Sequence, residues 1–115
     1  MRENIKNEAR LQHIVEAIDN IFEFVDGRAF DDYHSDKILK FAVIKNLEIV
    51  GEAAYLLTTE FKKNNPQIDW QTIIAMRHVL VHGYYQIKDE IVWGTITDDL
   101  KPLREEILKI KLSNL

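Results

Sequence analysis

Apolar residues recur along this chain at spacings of three and four, the period of a helix with one buried face. Leu11, Ile14, Ile18, Ile21, Phe22 and Val25 form the first such stripe, and Gly27 closes its helix. A second stripe of Leu39, Val43, Leu47, Val50, Ala54, Leu57 and Phe61 predicts a helix from about Ser35 to Lys63, ended by Asn64, Asn65 and Pro66. Asp69 can cap a third helix from Trp70 to about His82, with Gly83 as its stop. The stripe Val92, Ile96, Leu100, Leu103, Ile107 and Ile110 runs on through Pro102. The fourth element, starting near Asp89, therefore reads as one kinked helix rather than two. Strand-like alternation is absent. Four helices with short links predict an all-α antiparallel four-helix bundle, with residues 1–115 as one domain.

The second predicted helix carries more apolar surface than one core face needs. Ile38, Phe41, Ala42, Ile44 and Ile49 lie off its main stripe. That surplus fits either a buried central helix or an interface between copies. Gly51 in the interior of the same helix costs ~1 kcal/mol relative to alanine. Close approach of a neighbouring helix is one compensation.

Composition adds bounds rather than a function. The chain has 46% hydrophobic and 30% charged residues, as an ordinary globular protein does. It has no cysteine, which excludes disulfides and thiolate metal sites and fits a reducing cytoplasm. No apolar run follows Met1-Arg2-Glu3-Asn4, so no signal peptide is expected, and no apolar stretch approaches the ~20 residues of a membrane span. The net charge of −4 argues against broad coating of nucleic acid. Residues 1–60 hold 7 Lys/Arg against 12 Asp/Glu, whereas residues 61–115 hold 8 against 7. An anionic ligand is therefore expected on the C-terminal half, and the acidic half reads as solvated helical surface.

The candidate chemistry lies in Arg77-His78-Val79-Leu80-Val81-His82-Gly83-Tyr84, inside a stretch from Gln71 to Lys88 that has no acidic residue. Arginine offers phosphate a planar fork of donors and stays charged at any working pH. Histidine takes and returns a proton near neutrality. Arg77 shares a stripe with Trp70, Ile74 and Val81, so its stem should pack and its head reach a pocket. His78 and His82 share the neighbouring stripe with Gln71 and Ala75. Arg77 and His82 point ~140° apart on a straight helix. They converge only if the helix ends at His82 or if two copies face each other. Lys45, Glu48 and Glu52 make a charged line on the second helix, with Glu52 a candidate to support Arg77 or an interface. His78 and His82 are four apart, which is also a metal-ligand spacing, but no Glu of an H-E-x-x-H pattern and no Cys accompanies them, so no metal site is assigned. His13 and His34 show no partner and read as surface residues, and Tyr85 as a packing aromatic.

Arg77, four residues, His82, one residue and Tyr84 resemble the R-x4-H-x-Y signature of HepT-like toxins of the HEPN superfamily. Three further blocks extend the resemblance over nearly the whole chain. Residues 42–53, with the triplet Gly51-Glu52-Ala53, look like that family's second-helix block; Ile68-Asp69-Trp70 followed by Met76-Arg77 looks like its third helix; Val92-Trp93 looks like the start of its fourth. The resemblance implies a homodimer with a composite cleft and a metal-independent endoribonuclease that needs no cofactor. It further implies the toxin half of a type VII-like pair whose antitoxin, a minimal nucleotidyltransferase, adenylylates the motif tyrosine, here Tyr84. Arg77 and His82 carry over as the catalytic pair, with His78, Tyr84 and Glu52 auxiliary. His78 fills a polar position where Asn is commoner in this branch, and Ala75 one where glycine is frequent.

Two other classes compete: a noncatalytic HEPN module that binds nucleotide or nucleic acid, and a structural dimerising partner of a nucleotidyltransferase. Intact Arg77, His82 and Tyr84 favour the ribonuclease, because a degenerate module has less reason to keep all three.

Overall fold

The computed structural model describes residues 2–83 and 86–113. Its elements are α1 (Arg2–Val25), α2 (Phe30–Ser35), α3 (Lys37–Leu56), α4 (Thr59–Asn64), α5 (Trp70–Gly83), α6 (Asp89–Gly94) and α7 (Leu100–Ser113), with a π-helical turn (Thr95–Asp99) joining the last two. The four long units form the expected all-α antiparallel bundle. Asn7 bonds Thr58 and Asn20 bonds Asn46, which sets α1 antiparallel to α3. Arg104 bonds Asp19 at 2.7 Å and Lys111 bonds Gln12, which sets α7 antiparallel to α1. α3 is the central helix, packed along α1 on one side and α5 on the other.

The stripes of the sequence are the core. Leu11, Ile14, Ile18, Ile21, Leu39, Val43, Leu47, Val50, Ala54 and Leu57 are all buried, as are Val92, Ile96, Leu100, Ile107 and Ile110. Burying a side chain of this size contributes roughly 1.5–3 kcal/mol relative to leaving it exposed. Gly27 takes φ +72°, a left-handed turn that glycine adopts without steric cost, and so ends α1. Of the surplus apolar residues on α3, Ile38, Phe41 and Ile49 remain exposed although the helix is central.

The structure corrects the predicted helix from Ser35 to Lys63 in two places. Leu57 is extended (ψ 144°), and Thr58 then caps α4 by accepting from the Phe61 N–H at 3.2 Å. The break is tied down from a distance: the Asn7 side chain donates to the Thr58 hydroxyl and accepts from its N–H. Upstream, Asp36 caps α3 through the Leu39 N–H at 3.1 Å. The short α2, absent from the periodicity reading, is held by Asp32, which accepts from the Ala29 N–H at 2.8 Å, and by the fully buried Tyr33 ring beside Trp93.

The irregularity in the last helix falls one turn earlier than Pro102. The chain is helical from Asp89 to Ser113, but residues 95–99 adopt π spacing. Pro102 has no N–H to give the carbonyl four residues back, at Asp98, and its ring crowds that turn. A π turn directly precedes it, with the Leu100 N–H bonded to the Thr95 carbonyl, and local widening of this kind is a known cause of helix bending. Among the described residues no helix is long and apolar enough to cross a membrane.

Candidate active site

α5 is anchored at its start. Asp69 accepts from the Thr72 N–H at 3.1 Å and from its hydroxyl at 2.7 Å, and these two bonds, the hydroxyl first, hold its carboxyl below the usual range. Trp70 is buried against Phe61 and donates its indole N–H to the Asn65 carbonyl at 3.0 Å. These contacts fix the rotation of α5, so that Arg77 is turned towards α3.

At that contact stands Gly51. A Cβ on residue 51 would lie 2.1 Å from the Cβ of Arg77 and 2.9 Å from its Cγ. The compensation for an interior glycine is thus close helix approach, and the partner is the candidate arginine itself. The guanidinium continues past Gly51 to Glu52, with Nη2 2.6 Å from Oε2, and its centre lies 5.3 Å from the Tyr55 ring centroid. Side-chain exposure is 28% for Arg77 and 45% for Glu52. At that exposure the pair adds no more than ~1 kcal/mol of stability. Its consequence is aim: stem, carboxylate and ring together hold one arginine rotamer at the edge of solvent.

His78 and His82 lie on the other side of the same helix. Both are exposed, as are Gln71 and Ala75 on their stripe, and the two rings sit 4.6 Å apart between centroids. α5 stays α-helical through Gly83. The helix therefore does not end in time to swing His82 towards Arg77, and the two keep their ~140° divergence within one chain. Tyr84 and Tyr85 lie outside the described residues. Among the described residues no group of three or more His, Cys, Asp or Glu side chains has the arrangement to hold a metal ion.

Arg77 opens onto a cleft of about 590 Å³ between α1, α3 and α5. Its wall carries four cations, Lys6, Arg10, Lys45 and Arg77, against two carboxylates, Glu48 and Glu52, a local excess of positive charge in a chain of net −4. Three of those cations come from the N-terminal half. The expectation placed an anion on the C-terminal half; helical spacing also sets three of the acidic half's seven cations on the wall beside Arg77. Lys6, Arg10 and His13 are four and three apart on α1, a stripe legible in the sequence but meaningful only once α1 lies beside α3. His13 thus faces the candidate cleft.

His34 also has a partner after all. Its Nδ1 lies 2.7 Å from Asp89 Oδ2, which accepts from Lys40 Nζ at 2.9 Å as well. Desolvation pushes the Asp89 carboxyl up, but the bonds and charges of Lys40 and His34 outweigh it and hold the group below the usual range. Burial, then the Asp89 charge, pushes the nearby Tyr33 phenol well up. This cluster joins α2, α3 and α6 across a different side of α3 from Arg77.

Comparison with known proteins identifies the family. The family model described as "Ribonuclease HepT-like" matches residues 14–110. The "Probable ribonuclease HepT" of Thermococcus cleftensis is 37% identical over 101 residues, covering 88% of this chain and 92% of its own. A "Putative RNase" of Caldanaerobacter subterraneus is 33% identical over 100 residues, covering 87% and 89% respectively. A "Putative RNase" of Methanocaldococcus jannaschii is 35% identical over 105 residues, covering 88% and 86%. No solved structure matches the chain significantly. The chain belongs to the HepT-like ribonuclease family.

Proposed function

We propose that this protein is a metal-independent endoribonuclease that acts as a two-fold dimer. It is the toxin of a toxin–antitoxin pair, silenced when a nucleotidyltransferase adenylylates Tyr84. The observation that carries the catalytic part is the held arginine: Arg77, packed on Gly51 and clamped by Glu52, presents its guanidinium at the mouth of an open basic cleft. Family membership across residues 14–110 supports it.

The reaction follows from the side chains. His82 takes the proton of an RNA 2′-hydroxyl, whose oxygen attacks the adjacent phosphorus. Arg77 neutralises the charge that builds on the phosphoryl oxygens. His78, charged, returns a proton to the departing 5′-oxygen. The products are a 2′,3′-cyclic phosphate and a 5′-hydroxyl, with no net proton change. Because Arg77 and His82 diverge within one chain, the complete set comes from two chains, Arg77 of one facing His82 of the other. The exposed apolar Val79, on the same helix as Arg77 and His82, suits such an interface. An adenylate on Tyr84 adds a phosphodiester anion that competes with RNA for Arg77.

The same divergence favours one other reading, a noncatalytic binding module, if the chain does not pair. The two separate cleanly. Unmodified protein in chelator should cut RNA and run at twice 13.5 kDa by light scattering, and Arg77→Ala and His82→Ala should each cut at least a hundredfold more slowly. Equal cleavage by all three proteins would remove the assignment, and a fully active monomer would remove the composite site. With ATP, magnesium and the partner enzyme, Tyr84→Phe should gain no adenylate mass whereas Tyr85→Phe should.

A further inference from the structure

We infer that the cleft between α1, α3 and α5 is the track for the single-stranded RNA backbone, with Lys6 and Arg10 binding phosphates to one side of the scissile position and Lys45 to the other. This rests on the ribonuclease reading and adds a substrate footprint to it.

The placement follows from helix pairing. Asn7 is bonded to Thr58, so Lys6 and Arg10 lie near the C-terminal end of α3. Lys45 sits beside Asn46, which is bonded to Asn20 towards the far end of α1. Arg77 is pinned at Gly51, between them. At roughly 1.5 Å per residue, Lys45 lies about 9 Å from Gly51 along the cleft, and Arg10 and Lys6 about 6 and about 12 Å the other way. These are about two to four stacked nucleotide steps at ~3.4 Å each. All four cations line the one cleft.

Lys6, Arg10 and Lys45 have no ion-pair partner among the described residues, whereas Arg28, Lys40 and Arg104 are each engaged by a carboxylate. Unpaired cations in a concave wall are free to take phosphate oxygens and release condensed counterions. The floor between them is apolar, with Ile49, Leu56 and Val81, and the exposed Tyr55 ring beside Arg77 offers a stacking surface for a base. Two carboxylates also face the cleft. Glu52 is neutralised by Arg77, and Glu48 has no ion-pair partner among the described residues, a point where bound backbone is repelled.

The test compares two RNA lengths. A fully 2′-O-methylated octanucleotide gives binding without cleavage, and an unmodified octanucleotide and dinucleotide give rates. The triple variant Lys6→Gln/Arg10→Gln/Lys45→Gln is set against Lys63→Gln/Lys101→Gln/Lys109→Gln, which removes equal charge elsewhere. Each lost phosphate contact lowers the slope of log affinity against log salt by ~0.7, so the cleft variant should lose about 2 units. From about 50 to about 200 mM salt, the unvaried protein should then lose roughly 20-fold more affinity than the cleft variant. KM for the octanucleotide should rise, dinucleotide cleavage should persist, and the control should match the parent. An unchanged salt slope would overturn the track and leave the ribonuclease standing. Equal slowing on both lengths, loss of the dimer, or tighter capture of polyglutamate than RNA would also overturn it. If the unvaried protein cut neither RNA, the ribonuclease reading itself would fall.

Discussion

Gly51→Ala should destabilise the protein although it replaces glycine inside a helix by the best helix former. Propensity alone stabilises by ~1 kcal/mol. Against that, the new Cβ lands 2.1 Å from the Cβ of Arg77 and 3.1 Å from its Cα. Carbon–carbon contacts are most favourable near ~3.5–4.0 Å, so α5 must move from α3 by about 1.5 Å. The atom struck is the root of a helical side chain, not a flexible tip, so rotamer change cannot relieve it. Overpacking of this kind costs roughly 1–3 kcal/mol, and here the upper end applies. The net loss is ~2 kcal/mol, or about 8 °C in Tm for a domain of this size. Gly94 is the internal control. It is helical (φ −60°, ψ −39°), and a Cβ there meets nothing within 4 Å. Gly94→Ala should therefore raise Tm by about 4 °C. Thermal unfolding followed by circular dichroism reads both. A double-mutant cycle sharpens the cause: Arg77→Gly removes the struck atom and should couple to Gly51→Ala by at least ~1 kcal/mol, whereas Arg77→Ala keeps that atom and should not. A Gly51→Ala protein as stable as its parent would refute the packing argument.

Two further outcomes concern the α2–α6 side of the molecule. Tyr33 is fully buried and its hydroxyl has no hydrogen-bond partner among the described residues, so Tyr33→Phe, which keeps the ring beside Trp93, should raise stability by about 1 kcal/mol in urea unfolding; a loss of similar size would mean the hydroxyl is bonded. The Asp89 carboxyl is held below its usual range, so its ionised form stabilises the fold above the unfolded value near ~4 and that contribution fades as pH falls through the lower folded value. Asp89→Asn should lower the urea midpoint at pH 7 and lose less between about pH 5 and about pH 3 than the parent does; parallel curves for the two proteins would refute the linkage.

The sequence alone determined the helical class, the core stripes and the candidate catalytic pair. A buried helical face must repeat every three or four residues whatever lies against it, so Leu39 through Leu57 are legible without their partners. Caps that act within a few residues, such as Asp69 on Thr72, are legible for the same reason. The R-x4-H-x-Y spacing is likewise local, and with it the divergence of Arg77 from His82 on one helix.

Tertiary structure decided what depends on residues far apart in the chain. The break at Leu57 and Thr58 interrupts a continuous apolar stripe, and the Asn7 side chain that secures it lies on another helix. Gly51 looked like a cost in the sequence, and only the approach of α5 shows that it makes room for Arg77. His34 found Asp89 across 55 positions. The basic cleft is the largest case. Lys6, Arg10 and Lys45 sit in the acidic half of an acidic chain, so running charge counts hide them. Antiparallel packing of α1 on α3 gathers them beside Arg77, because charge acts through space and not along the sequence.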